Sequence, residues 1–229
     1  MREFILYARK AATSNDFSLN DLPGSGGRMD LVARCICNAL WISHDLRRDS
    51  CIHVVACGAP NPPRVISFYG SLLRAVSPDE RSIASWIKKA PKGKNPGIRV
   101  RKLSFQQLIS ELASDGKFFY IIHEKGRDIS ELYLKEDAVF IVGDHLGLPL
   151  KEEKFVTRFP HERLSLGSTS YLASQCITIL NYELDRQRMG KRVMLRSGFE
   201  PESLARKAEM IGRATLPERR AKKEKTKQS

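Results

Sequence analysis

Two kinds of apolar pattern follow one another along the chain. Short runs of β-branched and aromatic residues predict buried strands, and apolar residues spaced three and four apart predict helices with one buried face. The predicted strands cover residues 3–8, 51–57, 65–69, 117–122, 138–142 and 163–166. The predicted helices cover residues 29–40, about 77–89, 104–114, 151–158 and 171–188. This alternation predicts an α/β domain with a largely parallel sheet.

Capping residues mark the start of two of these helices. Ser77, followed by Pro78 and then by Glu80, predicts an N-cap serine, a first-turn proline and a capping box. Ser104 and Gln107 predict the same reciprocal cap for the next helix. The sequence therefore predicts helices that begin directly after Ser77 and Ser104.

The charge of the chain is positive and is concentrated toward its C-terminus. The formal net charge is +13 and the isoelectric point is about 9.7. Residues 186–229 hold 14 Lys and Arg against 5 Asp and Glu, which predicts a polyanionic partner, with nucleic acid first. We divide the chain into a body of residues 1–188 and a basic extension of residues 189–229, partly helical or disordered. A tail that only solubilises the protein is an equal alternative.

The five cysteines predict free thiols. Cys35, Cys37, Cys51, Cys57 and Cys176 are odd in number and form no C-x-x-C pair, which argues against a disulfide framework and a zinc site. The sequence opens without the apolar core of a signal peptide, and no stretch reaches membrane-spanning length. We expect a soluble, cytoplasmic protein that binds neither metal nor membrane.

Residues 24–27 form a glycine-rich segment directly before the first predicted helix. Glycine lets backbone N–H groups approach a phosphate at a helix N-terminus. No Lys-Ser/Thr pair follows Gly27, which excludes a P-loop, and Met29 stands where a dinucleotide-binding fingerprint requires a small residue. The segment also lies too far after the first strand to be the cofactor loop of a Rossmann-type methyltransferase. Composition alone favours a flexible turn.

Basic residues cluster in two other places. Residues 43–49 place a histidine, two acids and two arginines between a helix and a strand, and residues 88–102 hold seven Lys and Arg and no acid. Such side chains can bind phosphate, but a solvated connector with internal salt bridges is an even alternative for the first cluster. The candidate RNA-binding residues are Arg34, Arg47, Arg48, Lys88, Lys89, Lys92, Lys94, Arg99 and Arg101.

Several short motifs, taken together, resemble one family. They are LPGSGGRMDL from Leu22, SHD from Ser43, PNPP from Pro60, SPDER from Ser77, VGDH from Val142 and CITI from Cys176. In this order and spacing, over residues 1–186, they are similar to the TrmY family, the tRNA pseudouridine N1-methyltransferases of the SPOUT superfamily. The resemblance implies a SPOUT-type, mostly parallel α/β sheet with a C-terminal deep trefoil knot, an exception to the rule against knotted chains. It also implies S-adenosylmethionine as cofactor and a homodimer.

The same resemblance implies a cofactor site built from three loops. The first follows the strand that ends at Ile122, the second spans residues 143–147, and the third runs from Leu164 toward Cys176. The implied cofactor-binding residues are Ile122, His123, Gly143, Asp144, His145, Gly147, Leu164, Ser165, Leu166, Gly167, Leu172 and Cys176. Without the family, His145 would be a structural histidine at a strand end and Cys176 a small core residue.

By resemblance, the substrate is the pseudouridine at position 54 in the T-loop of tRNA, methylated at N1. Arg28 and Asp30 are similar to an Arg-x-Asp segment of the related ribosomal pseudouridine N1-methyltransferases. We expect Asp30 to orient or deprotonate the base and Arg28 to hold a phosphate or carbonyl oxygen. An ion pair at the helix start is the alternative role for both residues. The alternative functions are methylation of a pseudouridine in small-subunit rRNA and a non-catalytic RNA-binding or ribosome-assembly protein.

Overall fold

Residues 1–197 are described by a computed structural model, with side chains as far as Gly190. Within that part, Met1–Leu184 forms one compact unit. Most of the predicted basic extension lies outside the described residues. The division into a body of residues 1–188 and an extension therefore stays a prediction.

Strands and helices alternate along the described chain, as predicted. The strands are β1 (Arg2–Ala8), β2 (Trp41–Ile42), β3 (Asp45–Leu46), β4 (Ser50–Ala56), β5 (Arg64–Tyr69), β6 (Ile98–Arg101), β7 (Phe118–Asp128), β8 (Ala138–Gly143) and β9 (His161–Ser165). The helices are α1 (Met29–Leu40), α2 (Glu80–Lys89), α3 (Phe105–Ser114), α4 (Leu150–Val156) and α5 (Ala173–Ser197). Short 3₁₀ turns follow α2 and β7.

One seven-stranded sheet, in the order β6-β5-β4-β1-β8-β7-β9, organises the body. The pairs β4–β1, β1–β8, β8–β7 and β7–β9 are parallel, whereas β5 is antiparallel to both β4 and β6. The predicted mostly parallel sheet is therefore confirmed. Because parallel strands end at the same edge, the loops after β1, β4, β8, β7 and β9 leave from one side, which we call the carboxyl edge.

Helices cover both faces of the sheet, and alternate residues of each strand point to opposite faces. On β1, Phe4 and Leu6 pack with the apolar residues of α1, α2 and α5, whereas Ile5 packs with those of α3 and α4. Burial of both faces explains why the central strands read as continuous apolar runs. It also leaves the sheet edges as the places where polar groups can gather.

The predicted start of α2 is wrong. The N-cap is Asp79, whose side chain accepts a hydrogen bond from the Ser82 backbone at 2.7 Å, and the backbone of Ser77 instead donates to the Ser82 hydroxyl. Both Ser and Asp cap helices well, and the position that takes the extended backbone decides between them. The predicted cap of α3 is confirmed, because Ser104 and Gln107 form the full capping box.

Two further elements differ from their predicted extent. Residues 43–49, which could be either a phosphate-binding cluster or a solvated connector, contain part of a hairpin in which β2 pairs with β3. Strand β7 continues beyond its predicted end at Ile122, because its register against β9 shifts between Ile122 and Arg127. Gly126 permits this close pairing, since a side chain there would overlap the backbone of Leu164. The residues of this extension, 123–128, are mostly polar, so they show no apolar pattern that would predict a strand.

The strand order β8-β7-β9 fits the trefoil knot expected of this fold, but the threading itself stays a prediction. None of the helices in the described part of the chain has both the length and the apolar character needed to cross a bilayer. All five cysteine side chains are free thiols.

Candidate active site

Three loops meet at the carboxyl edge around a cavity of about 480 Å³, and a second cavity of about 160 Å³ adjoins it. The loops follow β7, β8 and β9, as expected. The predicted cofactor residues that line these cavities are Ile122, His123, Gly143, Asp144, His145, Gly147, Leu166, Gly167, Leu172 and Cys176. Segments that lie far apart in the sequence therefore form one pocket.

Leu164 and Ser165 were predicted as cofactor contacts, but they lie outside the cavity walls. Both are buried in β9, and the Ser165 hydroxyl accepts a hydrogen bond from the Gly167 backbone at 3.2 Å. Strand pairing turns these residues into the sheet, so they can support the third loop but not line the pocket. Gly167 has a φ of +103°, which favours glycine at the turn away from β9.

Hydrogen bonds from Arg9 and Asp144 fix the loop after β8. The Asp144 carboxylate accepts from the backbone of Leu146 at 2.9 Å and of Arg9 at 2.8 Å. The Arg9 guanidinium donates to the carbonyls of Leu146 and Gly147 at 3.0 and 2.9 Å. A side chain at Gly143 would approach Gly147 within 2.3 Å. Asp144 therefore shapes the loop, and no pattern near Arg9 predicts that its side chain belongs to this loop.

Cys176 lies in the pocket wall but is unsuited to nucleophilic catalysis. Burial raises the pKa of its thiol to about 11, so the reactive thiolate is scarce at neutral pH. The sulfur contacts the Tyr171 carbonyl at 3.8 Å. This agrees with a small packing residue.

Several residues that the sequence analysis missed also line the pocket. They include Leu31, Glu124, Leu148, Ser170, Tyr171 and Ala173. Leu31 belongs to the first turn of α1 and directly follows Asp30. The predicted catalytic pair is thus next to the pocket, a juxtaposition that only the tertiary fold reveals.

Arg28 and Asp30 form a two-pronged ion pair at the start of α1. The Arg28 guanidinium donates to both carboxylate oxygens of Asp30 at 3.0 and 3.1 Å, and Arg34 donates to the same carboxylate at 2.6 Å. The Asp30 side chain is largely buried, whereas 40% of the Arg28 side chain remains exposed. Arg28 therefore has surface left for a ligand, but Asp30 is already occupied by two cations.

The two arginines also set the protonation of Asp30. Burial alone would raise its pKa, but the hydrogen bond from Arg28 and the positive charges of Arg28 and Arg34 outweigh burial and lower the pKa below its ordinary value. A carboxylate of low pKa is a weak proton acceptor at neutral pH. The geometry therefore favours the orienting role of Asp30 over proton abstraction. The same hydrogen bond, with a smaller electrostatic contribution from Asp144, raises the pKa of Arg28.

The glycine-rich segment before α1 is a turn whose last glycine packs closely against the chain after β1. Gly27 and Arg28 both take left-handed backbone conformations, with φ of 59° and 71°. A side chain at Gly27 would lie 1.8 Å from the Lys10 carbonyl oxygen, so only glycine fits there. Gly27 allows the segment to lie against Lys10, just after β1, and thereby places Arg28. The glycines of residues 24–27 do not line the pocket.

The candidate RNA-binding residues do not form one surface around the pocket. Arg34 pairs with Asp30 and Glu80, and Arg101 pairs with Glu111 at 2.7 Å. Lys88 donates to the Phe17 carbonyl at 2.6 Å. Arg99 and Arg101 lie on β6, at the opposite side of the sheet from β7, β8 and β9. The remaining candidates are Arg47 and Arg48 beside β3, Lys89 over the Trp86 ring, and the exposed Lys92 and Lys94. A role in RNA binding stays a prediction for all nine.

A separate group of possible metal ligands lies at the amino edge, where the parallel strands begin. Glu3, Cys51 and His53 bring three donor atoms within 4.8 Å of one another. His53 contacts Glu3 at 3.0 Å, and Lys117 contacts the same carboxylate at 3.3 Å. Burial raises the pKa of the Cys51 thiol well above its ordinary value. These groups satisfy one another far from the pocket, and the absence of a metal stays a prediction.

Comparisons with known proteins agree with this architecture. A family described as "Putative SAM-dependent RNA methyltransferase" matches residues 1–189. The tRNA (pseudouridine(54)-N(1))-methyltransferases of Methanocaldococcus jannaschii and Methanococcus aeolicus are each 44% identical over 203 residues, covering 82% of this chain and 98% and 100% of theirs. The crystal structure of Archaeoglobus fulgidus Nep1 bound to S-adenosylhomocysteine is similar with a TM-score of 0.60, at 15% identity and covering 82% of this chain and 99% of that one.

At 15% identity, the likeness to Nep1 shows the fold and no more. The family match spans most of the sequence, and the two methanogen proteins are similar over nearly their whole length. The pocket and the ion pair described above lie within the matched residues. This chain therefore belongs to the family of SAM-dependent RNA methyltransferases.

Proposed function

We propose that this protein methylates N1 of the pseudouridine at position 54 in the T-loop of tRNA, with S-adenosylmethionine as methyl donor. The observation that carries the proposal is the 44% identity to two proteins named for this reaction, over nearly their entire length. The pocket supports it, because three loops form one cavity directly beside Arg28 and Asp30. The chemistry of the substrate then defines what the site must do.

The pocket suits S-adenosylmethionine in size and in kind. Its volume of about 480 Å³ lies within the usual range for small-molecule sites. Loop backbone from Gly143 to Gly147, with Ile122 and Leu172 as apolar walls, would hold the adenosyl part. When bound, the cofactor supplies an electrophilic methyl group on a sulfonium. Residues of the three loops would orient that methyl group toward the substrate.

Transfer to pseudouridine requires positioning more than covalent catalysis. N1 of pseudouridine carries a proton, whereas N1 of uridine is occupied by the glycosidic bond. Methylation would replace the N1 proton by the methyl group that the sulfonium supplies, and the proton would pass to water. We assign Arg28 to hold a substrate carbonyl or phosphate oxygen and Asp30 to fix Arg28 in place. The low pKa of Asp30 supports this division of roles.

We further propose a homodimer in the cytoplasm. Tyr171, Leu172 and Tyr182 are large apolar or aromatic residues, each between 41% and 62% exposed, and they lie on α5 or directly before it. Leu172 and Tyr171 also line the pocket, so a partner that covered them would complete its wall. Sedimentation of the protein at several concentrations would test this assembly, and a monomer throughout would contradict it.

Nucleoside mass spectrometry tests the proposed reaction. The enzyme and labelled S-adenosylmethionine are incubated with tRNA that carries pseudouridine at position 54, with the same tRNA carrying uridine there, and with a pseudouridine-containing fragment of small-subunit rRNA. We expect N1-methylpseudouridine only from the first. Product from the rRNA fragment alone would favour the ribosomal alternative. No product and no cofactor binding would leave a non-catalytic RNA-binding protein.

A further inference from the structure

A basic groove lies between α3 and α4, outside the pocket and outside the predicted RNA-binding residues. It encloses about 760 Å³ and is lined by Gln106, Leu150, Lys151, Lys154, Phe155 and Arg158. Helix α4 begins soon after the second cofactor loop, and Leu148, just before it, still belongs to the pocket wall. Helix α4 therefore connects the second loop of the proposed active site to the groove.

The three cations of the groove are exposed and free to bind an anion. Lys151 and Lys154 lie on α4 and Arg158 in the turn after it. None of the three forms an ion pair with any residue in the described part of the chain. This distinguishes them from Arg34 and Arg101, whose charges are partly neutralised by carboxylates.

The two carboxylates of α4 do not cancel this charge. Glu153 is buried and pairs with Arg163 at 2.7 Å, away from the groove cations. Glu152 is also buried, and its carboxylate accepts a hydrogen bond from Gln106. Burial raises the pKa of Glu152, although Gln106 and Lys151 oppose this shift. The groove thus presents positive charge to solvent while its acids point inward.

An aromatic ring lies among these cations. Phe155 is partly exposed, and the Arg158 guanidinium lies 5.1 Å from the centre of its ring. Cations that track a phosphate backbone, together with aromatic or guanidinium planes that can stack on bases, are the usual features of grooves that bind single-stranded RNA. An acidic protein surface would be attracted by the cations alone and would not need the ring.

We infer that this groove binds the phosphate backbone of the substrate tRNA beside the reactive nucleotide, an inference that rests on the proposed function. Lys151, Lys154 and Arg158 contact phosphates, and Phe155 with Arg158 offers a surface for an unpaired base. The contact holds the RNA on the α3–α4 face of the sheet, while Arg28 acts from the side of α1. Residues on both faces would then fix the nucleotide over the carboxyl edge.

Binding measurements on full-length protein test the inference. The variant Lys151→Gln/Lys154→Gln/Arg158→Gln removes the charges, and Lys151→Arg/Lys154→Arg/Arg158→Lys retains them. With tRNA carrying unmethylated pseudouridine 54, we expect at least about tenfold weaker binding for the neutral variant at low salt. The slope of log affinity against log salt should become shallower by about two, since each phosphate contact contributes roughly 0.7–0.9. The charge-retaining variant should stay within about twofold of wild type.

Two more readouts localise the effect. S-adenosylmethionine affinity should change less than about twofold in both variants, because these residues do not line the cofactor pocket. Bound tRNA should also protect the Lys151 and Lys154 amines from an acetylating reagent, which a long-range charge effect would not do. Unchanged affinity and salt slope, or equal amine reactivity with and without tRNA, would overturn the inference. So would a changed oligomeric state in the neutral variant, which would assign the groove to a second copy of the chain. If the wild-type protein binds tRNA but does not methylate it, the proposed reaction is refuted. The tRNA affinities of the wild type and the two variants can still be compared in that case.

Discussion

The two edges of the central sheet use charged residues in different ways. At the amino edge, Glu3 contacts His53 at 3.0 Å and Lys117 at 3.3 Å, and His53 also bonds Ser67 at 2.7 Å. These are side-chain contacts between neighbouring strands or strand starts. At the carboxyl edge, Arg9 and Asp144 bond chiefly to backbone groups of a loop.

This difference separates stability from function. Charges at the amino edge pair with one another, so they link β1, β4 and β7. Charges at the carboxyl edge shape loops, so the backbone of those loops remains available to line a cavity. We therefore expect substitutions at the amino edge to lower stability, and substitutions at the carboxyl edge to lower ligand binding or methyl transfer.

Glu3→Ala is expected to have the largest effect. It leaves His53 and Lys117 without their buried carboxylate, and breaking a buried ion pair by removing one partner costs about 3–5 kcal/mol. Urea denaturation at pH 7 measures this loss. Asp137→Ala is the control: it removes another partner of Lys117, but a mostly exposed one, and should cost less than about 1 kcal/mol. Equal losses of unfolding free energy in the two variants would show that the buried Glu3 carboxylate contributes no more to stability than the exposed Asp137 carboxylate.

The pH dependence of the unfolding free energy is a second test of the contacts made by Glu3. Burial alone would raise the Glu3 pKa, but the hydrogen bond and charge of His53, together with the Lys117 charge, lower it below its ordinary value of 4.5. The Lys117–Glu3 ion pair therefore stabilises the fold above that value and is lost as the pH falls through the lowered pKa. The difference in unfolding free energy between wild type and Glu3→Gln should therefore shrink as the pH falls below 4.5.

Asp30→Asn should lower methyl transfer about a hundredfold. The amide keeps the shape of the side chain but cannot anchor both Arg28 and Arg34, and a small misplacement of a positioning group can cost about two orders of magnitude. Single-turnover transfer and cofactor titration measure the two effects separately, and cofactor affinity should change less than about threefold. Glu80→Gln removes only an exposed partner of Arg34 and should hardly change methyl transfer or cofactor affinity. Equal losses of transfer and cofactor affinity would place Asp30 in the cofactor site.

Gly143→Ala tests the loop backbone itself. The added methyl group would lie 2.3–2.4 Å from the backbone of Gly147 and Leu148, so the loop must move. Overpacking of this kind costs about 1–3 kcal/mol of folding free energy. Because the clash lies in a loop that lines the pocket, we also expect about a tenfold loss of S-adenosylmethionine affinity, equivalent to about 1.4 kcal/mol. Gly190→Ala has open space around it and serves as the control. An unchanged affinity for Gly143→Ala would show that the cofactor does not depend on the shape of this loop.

The sequence predicted the parts of the molecule that repeat a pattern. The buried strands, the α3 capping box and the three loops after β7, β8 and β9 were all expected, the loops through a family resemblance. Contacts between side chains that are remote in the chain could not be predicted from the sequence. Nothing near Arg9 indicates that its guanidinium reaches the carbonyls of Leu146 and Gly147, and nothing near Glu3 indicates His53 as its partner.

The N-cap of α2 and the end of β7 also could not be predicted from the sequence alone. Ser77 and Asp79 are both good N-caps, and only the backbone at Asp79 decided between them. The extension of β7 depends on pairing with β9, which lies more than thirty residues later, so its polar sequence could not reveal it. Likewise, Leu164 and Ser165 were assigned to the pocket by their position in the third loop, but strand pairing buries them beneath it.

Arg9→Met should have the smallest effect of this set. Methionine keeps the length of the side chain but removes two hydrogen bonds to the second loop, while Asp144 still bonds the backbone of residue 9. Each lost bond contributes on the order of 1 kcal/mol, and water can replace part of it, so we expect about a fivefold loss of cofactor affinity with little change in unfolding free energy. Isothermal titration and urea denaturation of the same preparations measure both. If Arg9→Met instead lost stability and retained cofactor affinity, Arg9 would behave like the amino-edge charges, and the functional separation between the two edges would fail.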